Sequence, residues 1–98
     1  MNIQVEVELS PAFKARLGFE HLTMALEQGG ATVKGLLAAL AEKEGERIRP
    51  LLFEGEGILP GLMVMVNEKI FTAAAIEAKD VPLKEGDAVS LLYFLSGG

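Results

Sequence analysis

The sequence contains no cysteine and no tryptophan, and its only imidazole is that of His21. Without cysteine the chain forms no disulfide, thiol nucleophile, iron–sulfur cluster or thiolate zinc site, and a single histidine excludes a multi-histidine metal site. Basic residues are also few, 9 against 14 acidic ones, which gives a formal net charge of −5. An acidic chain is not complementary to a phosphate backbone, so nucleic acid is not expected as a partner.

Long apolar runs are missing too, and none approaches the roughly 18 residues of a membrane helix. The first eight residues, MNIQVEVE, carry acids where a secretory signal would carry basic residues, so we expect a cytoplasmic protein without membrane contact. The composition is nevertheless globular, since 50% of the 98 residues are hydrophobic and 23% are charged. A chain of this length is expected to form one domain.

The first third of the chain shows the patterning of a β-hairpin. Residues 2 to 9 alternate apolar and polar side chains, which predicts a strand with one buried face. His21 to Glu27 places Leu22, Met24 and Leu26 on one face and is interpreted as the second strand. Residues 12 to 20 are predicted to be a long connecting loop with a turn at Gly18.

From Thr32 the apolar residues follow helical spacing instead. This predicts an α-helix over residues 33 to 44, with Thr32 as its N-cap and Gly45 as an αL cap. Gly35 in the first turn lowers the helix propensity by up to about 1 kcal/mol relative to alanine. The segment 46 to 61 is interpreted as a short helical turn followed by a loop.

The remaining third again predicts strands. Leu62 to Val66 is a short apolar run, typical of a strand covered on both faces, and Ile70 with Phe71 begins a returning strand. Gly86 is expected to adopt a positive φ in a tight turn before a last strand, Ala88 to Leu95. Together these elements indicate an α+β domain in which a mixed sheet packs against the helix at residues 33 to 44.

Side chains that catalyse reactions are nearly absent. Histidine often serves as a general base, but His21 stands alone in a predicted strand, where a single histidine is more often structural. The glutamates are interpreted as solvated faces and loops. Gly29-Gly30 precedes a helix but lacks the G-x-G-x-x-G and G-K-[ST] patterns of phosphate loops, and is interpreted as a turn.

The sequence ends in Ser96-Gly97-Gly98. Two glycines without Cβ atoms can cross a narrow channel, which makes the α-carboxylate of Gly98 the candidate functional group. A carboxylate is ionised at neutral pH and becomes an acyl donor after adenylation, and that step requires a partner that supplies ATP and Mg²⁺. The activated carbonyl then accepts either sulfur, giving a thiocarboxylate, or an amine, giving an amide.

Two segments carry a family resemblance, VMVNEKIF and VPLKEGDAVSLLYFLSGG. They resemble the small ubiquitin-like sulfur carriers of the β-grasp fold, above all the small subunit of molybdopterin synthase. Asn67 stands at that family's V-N-G turn, residues 83 to 87 are similar to its L-K-[DE]-G-D turn, and residues 96 to 98 match its small-Gly-Gly ending. Glu68, Ala88 and the segment 93 to 95 depart from the family pattern.

The resemblance implies a β-grasp domain over residues 1–95 and a flexible tail over residues 96–98. An E1-like adenylating enzyme would use ATP and Mg²⁺ to activate Gly98, and a sulfur donor would convert it to a thiocarboxylate. The tail would then enter the large subunit of molybdopterin synthase, with Gly97 and Ser96 serving passage. That subunit provides the catalytic groups, so this chain is expected to be a non-catalytic carrier that binds no cofactor itself.

Proteins with other functions have the same C-terminal Gly-Gly. Carriers of the thiazole pathway have this tail but are typically shorter, so the length of this chain favours the molybdopterin branch. A protein-conjugation tag would transfer the activated glycine to a lysine, and a plain binding module would not need it. The partner contact is predicted at Phe94, Leu92 and Leu95, unless the segment 46 to 61 covers that face of the last strand.

Overall fold

The structure is a computed structural model that describes residues 1–93. The α-helices within this range are α1 (Pro11–Leu17), α2 (Val33–Glu44), α3 (Arg49–Leu52) and α4 (Ala73–Ala78). The strands are β1 (Asn2–Leu9), β2 (His21–Glu27), β3 (Phe53–Glu54), β4 (Gly57–Ile58), β5 (Leu62–Val66), β6 (Lys69–Thr72) and β7 (Ala88–Tyr93). Short 3-10 turns at Gln28–Gly30 and Gly45–Arg47 flank α2.

Five strands form one mixed sheet in the order β2-β1-β7-β5-β6, and β3 pairs with β4 in a separate hairpin. β1 and β7 run parallel, whereas the other neighbours in the sheet are antiparallel. The predicted α+β class is therefore confirmed. β7 lies between β1 and β5, so the last strand is interior over its described residues 88–93.

The core lies between the helices and one face of the sheet. Along β1 the side chains alternate between exposed and buried over all eight residues, which is the pattern that the sequence predicted. Helix α2 contributes the expected apolar stripe to this core: Val33, Leu36, Leu37, Leu40 and Ala41. Val89 and Leu91 of β7 belong to the same cluster, so this face of β7 is directed toward the helices.

The ends of α2 agree with the sequence prediction in most respects. Thr32 is the N-cap, and its hydroxyl oxygen accepts a hydrogen bond from the Gly35 amide at 3.1 Å. Gly45 ends the helix at a φ of 65°, but its ψ of −141° lies outside the αL region. The expected αL cap is therefore wrong in ψ, although the positive φ still explains why glycine stands there.

The loop predicted over residues 12 to 20 is wrong, because Pro11–Leu17 forms helix α1. Proline at the start of the helix has a suitable fixed φ and no amide to leave unpaired. Phe13 and Leu17, one turn apart, are both buried, and Gly18 at a φ of 84° ends the helix in the αL conformation. A helix of only seven residues is too short to show a clear periodicity, which is why the pattern was not decisive.

The segment 46 to 61 contains the predicted helical turn, α3, followed by the β3–β4 hairpin instead of a loop. Ile48, Leu52 and Ile58 from this segment are buried in the main core. The alanine-rich stretch after β6, which has no clear pattern, forms α4 with Thr72 as its N-cap. None of the helices within residues 1–93 has the length and hydropathy needed to cross a membrane.

Gly35 has a packing role that helix propensity alone does not predict. A Cβ at this position would lie 2.6 Å from the carbonyl oxygen of Gly30 and 3.3 Å from the Thr32 hydroxyl oxygen. We expect Gly35→Ala to lower the free energy of unfolding by about 1–3 kcal/mol because overpacking outweighs the gain in propensity. Gly29→Ala is the control, since nothing lies within 4 Å of its added Cβ. Urea unfolding of both variants measures the difference, and an unchanged midpoint for Gly35→Ala would contradict the close approach.

Candidate docking face and tail root

Of the residues predicted to form the functional site, Leu92 lies in the described part of the chain. Phe94, Leu95, Ser96, Gly97 and Gly98 lie outside residues 1–93. The geometry that the structure adds therefore concerns the sheet face around Leu92 and the end of β7 from which the predicted tail continues.

Leu92 lies on the side of the sheet away from the helices, which we call the open face. Strand alternation and register place the following residues there: Gln4, Glu6, Glu8, His21, Thr23, Ala25, Met63, Met65, Ile70, Ala88, Ser90 and Leu92. In contrast to the core side, none of these side chains is fully buried. The segment 46 to 61 does not cover this face, because its buried residues pack in the core on the helix side.

The open face has an apolar half, which we call the methionine patch. It consists of Met63, Met65, Ile70 and Leu92. Met63 lies opposite Leu92, and Met65 lies opposite Ile70. Ile70 is 57% exposed, and the other three are partly exposed. Adjacent apolar side chains of this kind commonly mark a protein interaction site, and methionine adapts readily to a partner surface.

The other half of the open face is acidic and polar. Glu6 lies beside Ala88 and Glu8 lies beside Ser90, so two carboxylates border the patch along the parallel β1–β7 pair. The Thr23 hydroxyl donates a hydrogen bond to the Glu6 carboxylate at 3.0 Å. A complementary partner would therefore present an apolar surface bordered by basic side chains.

Tyr93, the last described residue, is fixed on the core side of the sheet. Its ring stacks on the fully buried ring of Phe13, with centroids 5.0 Å apart and an interplanar angle of 11°. Its hydroxyl donates a hydrogen bond to the backbone carbonyl of Leu51 in α3. We call this set of three residues the tyrosine clamp.

Burial of the phenol raises the pKa of Tyr93 to about 12, and the charge of Arg16 opposes this in part. Because Tyr93 is the only tyrosine in the chain, the absorbance of tyrosinate reports on this group alone. We expect an apparent pKa near 12 in the folded protein and near 10 after unfolding in urea. Between these values the folded state retains a proton that the unfolded state releases, so stability should fall as the pH rises through this window. A folded-state pKa equal to the unfolded value would contradict burial of the phenol.

The motif residues Asn67 and Asp87 have a structural role. Asn67 adopts a φ of 57° in the β5–β6 turn, and its side-chain amide donates to the Asp87 carboxylate at 3.2 Å. The Asp87 carboxylate also accepts from the Lys84 backbone amide at 2.8 Å, and the side-chain oxygen Oδ1 of Asn67 accepts from the Ala88 backbone amide at 3.1 Å. These bonds join the β5–β6 turn to the loop before β7. The motif therefore sets the start of β7 and supplies no reactive group.

His21 is exposed and lies opposite Glu8 at the edge of the sheet. This exposed position on the open face provides no cleft in which His21 would act as a general base. Within residues 1–93 no group of three or more histidine, cysteine, aspartate or glutamate side chains is arranged to hold a metal ion.

Sequence reasoning identified Leu92 as a candidate contact residue. The expectation that Leu62 to Val66 is covered on both faces is wrong, because Met63 and Met65 are partly exposed on the open face. Ile70 and the tyrosine clamp were not predicted. The sequence alone does not show that Ile70 joins this patch, because its place beside Met65 follows from the β5–β6 register. The contact of Tyr93 with Phe13 required the helix α1, which the sequence pattern did not resolve.

The fold defines the class of protein. The structure is similar to the solution structure of the Haloferax volcanii HVO 2177 protein, with 23% identity, a TM-score of 0.76 and coverage of 99% of this chain and 88% of that chain. Small archaeal modifier protein 1 from Methanosarcina acetivorans gives 20% identity, a TM-score of 0.76 and coverage of 100% and 99%. A putative molybdopterin converting factor subunit 1 from Pyrococcus furiosus gives 22% identity and a TM-score of 0.68, with coverage of 95% of this chain and 99% of that chain. The chain therefore has the ubiquitin-like β-grasp fold.

The sequence identifies the family within that class. Residues 19–98 match the ThiS family, which covers most of the chain, and the chain belongs to that family. It is thus a member of the ubiquitin-like sulfur carriers and modifiers. No curated protein matches the chain in sequence.

Proposed function

We propose that this chain carries sulfur as a thiocarboxylate on Gly98 and donates it in the biosynthesis of molybdopterin. The observation that carries the proposal is the match of residues 19–98 to the ThiS family, because the matched region includes the Gly97-Gly98 ending. The likeness to a molybdopterin converting factor subunit over 95% of the chain supports the choice of pathway.

The chemistry divides between this chain and its partners. An E1-like adenylating enzyme uses ATP and Mg²⁺ to join the Gly98 carboxylate to AMP with release of pyrophosphate. A sulfur donor then displaces AMP, and the resulting thiocarboxylate is nucleophilic at neutral pH for the same reason that a thiolate is. The large subunit of a molybdopterin synthase supplies the catalytic groups for the transfer, while this chain supplies the sulfur and the docking surface.

The open face supports a role in docking to such partners. A partner must hold the domain while the chain beyond Tyr93 reaches a buried reaction site. The methionine patch lies on the strand that leads to this segment, and Leu92 precedes Tyr93 directly. Contact there, together with the predicted contacts at Phe94 and Leu95, would place the binding surface next to the reactive end.

A second candidate function is protein conjugation, in which a lysine amine displaces AMP. The likeness to small archaeal modifier protein 1, with a TM-score of 0.76 over the whole chain, favours keeping this alternative. The two functions use the same adenylated glycine and differ in the acceptor.

One experiment tests the proposal against this alternative. The protein is incubated with ATP, Mg²⁺, the E1-like adenylating enzyme and a sulfide source, and the intact mass is measured. We expect exchange of one oxygen for one sulfur at Gly98, followed by loss of that sulfur when the large synthase subunit and a cyclic pyranopterin phosphate are added. Isopeptide products without a thiocarboxylate would indicate the conjugation tag, and a thiocarboxylate that the synthase does not consume would indicate another sulfur pathway.

A further inference from the structure

The end of β7 is held differently from the rest of that strand. Over residues 89–91 the strand pairs with β1 on one side and with β5 on the other. Pairing with β1 stops at Leu91, whose carbonyl accepts the Ser10 amide at 3.1 Å, because the chain then turns into α1 at Pro11. Leu92 and Tyr93 pair with β5 alone, so strand pairing gives the last two residues support on one side only.

The tyrosine clamp provides the support that β1 no longer gives. Phe13 belongs to α1, the helix that interrupts the pairing, and its buried ring packs against the ring of Tyr93. Leu51 belongs to the four-residue helix α3, and the last carbonyls of a helix have no partner within it. The Tyr93 hydroxyl satisfies one of these carbonyls. One side chain thus joins the end of the central strand to two helices.

The anchoring helix α1 is itself held in place. The Arg47 guanidinium donates to the Leu17 carbonyl at 2.9 Å and to the Arg16 carbonyl at 3.3 Å, which satisfies the C-terminal end of α1. Its other terminal nitrogen lies 3.8 Å from the Glu44 carboxylate at the end of α2. Phe13 therefore lies buried in a helix whose C-terminal end is hydrogen-bonded to Arg47, and not in a loop.

From these contacts we propose that Tyr93 is a positioning residue for acyl activation, which fixes the point and direction from which the chain leaves the domain toward Gly98. This rests on the proposed function. Five residues follow Tyr93 in the sequence, and five extended residues span at most about 17 Å. A shift of Tyr93 therefore moves the region that Gly98 can reach, and misplacement of a reacting group by even about 1 Å can be costly in rate.

Burial of the Tyr93 phenol costs free energy unless its hydroxyl is hydrogen-bonded, and a residue exposed at the end of a strand has no such cost. An aliphatic residue at position 93 would fill space beside Phe13 without a buried hydroxyl that requires an acceptor. The single tyrosine of the chain nevertheless stands at the end of β7, five residues before Gly98, with its hydroxyl paired. A role in fixing orientation accounts for both the planar stack and the directional bond, whereas burial of apolar area alone accounts for neither.

Three variants test the proposal in the ATP–pyrophosphate exchange reaction of the E1-like adenylating enzyme, measured as a function of carrier concentration. Tyr93→Phe keeps the stack and removes the hydrogen bond, and Phe13→Leu keeps the bond and removes the stack. Thr32→Ala is the control for lost stability, since it removes the N-cap hydrogen bond of α2. Thr32 follows the end of β2, which pairs with the start of β1, whereas the tyrosine clamp lies where β1 ends and leads into α1. All three are compared with the wild-type protein well below their thermal midpoints.

We expect kcat to fall about fivefold for Tyr93→Phe and for Phe13→Leu, in line with the loss of one net interaction. KM for the carrier should stay unchanged because the open face is intact. Thr32→Ala should keep both constants within about twofold of the wild-type values. It should nevertheless lower the melting temperature about as much as the other two substitutions do. A kcat for Tyr93→Phe that equals that of Thr32→Ala, or a change in KM alone, would overturn the positioning role. Absence of exchange with the wild-type protein would instead reject the proposed function and this role with it.

Discussion

Deletion of Gly98 is expected to abolish thiocarboxylate formation while leaving the melting temperature unchanged. The reaction needs the carboxylate at a fixed distance from the docked domain, and removal of one residue withdraws it by about 3.5 Å. Effective catalysis depends on approach of the reacting atoms to within bonding geometry, so this shift removes the reaction almost completely. The buried core of the described residues ends at Leu91, and the deletion therefore should not affect packing.

The addition of one alanine after Gly98 should have the same effect for the opposite reason, because the wrong carboxylate then reaches the reaction site. Gly97→Ala should retain part of the activity, since a Cβ narrows the allowed conformations without moving the carboxylate along the chain. Gly29→Ala serves as the control for loss of a glycine elsewhere, as its added Cβ meets no other atom within 4 Å. Mass spectrometry after incubation with the activating enzyme measures each variant. Full thiocarboxylate formation after deletion of Gly98 would contradict the carrier function.

Leu92→Glu is expected to weaken binding to the large synthase subunit by at least about tenfold. The substitution places a charge in the apolar methionine patch, and a desolvated charge without a partner is costly at an interface. The domain should remain folded because Leu92 faces away from the core and is partly exposed. Titration calorimetry measures the affinity, and the thermal midpoint verifies the fold.

Ala75→Glu is the matched control for this substitution. It adds the same charge at an exposed position of α4, on the side of the helices. Its affinity for the large subunit should equal that of the wild-type protein. If both variants bind as tightly as the wild-type protein, the methionine patch is not the docking surface. If Leu92→Glu unfolds, Leu92 contributes to stability more than its exposure indicates.

The parts of the fold that the sequence predicted are those with a long periodic pattern. The eight alternating residues of β1 and the apolar stripe of α2 each have enough repeats to exclude another secondary structure. Helix α1 and helix α4 have only seven and six residues, and their stability comes from tertiary packing that no local pattern shows. The β3–β4 hairpin, with two residues in each strand, is shorter still.

The candidate functional site likewise has one part that the sequence predicts and another that depends on the three-dimensional structure. The glycine ending and the position of Leu92 follow from sequence and strand alternation alone. The methionine patch depends on the register of β5 against β6 and β7, and the tyrosine clamp joins Phe13, Leu51 and Tyr93 from three separate elements. Contacts between such distant residues are a property of the topology and leave no mark on local composition.

The parallel pairing of β1 with β7 has a consequence for how the chain folds during synthesis. Glu6 and Ala88 are neighbours in the centre of the sheet although they lie near opposite ends of the sequence. The β1–β2 hairpin can form early, but the sheet lacks its middle strand until the ribosome has released residues 88–93. The strand that leads to Gly98 is thus the one whose insertion completes the domain. A polypeptide that has not yet released β7 therefore lacks the assembled open face around Leu92.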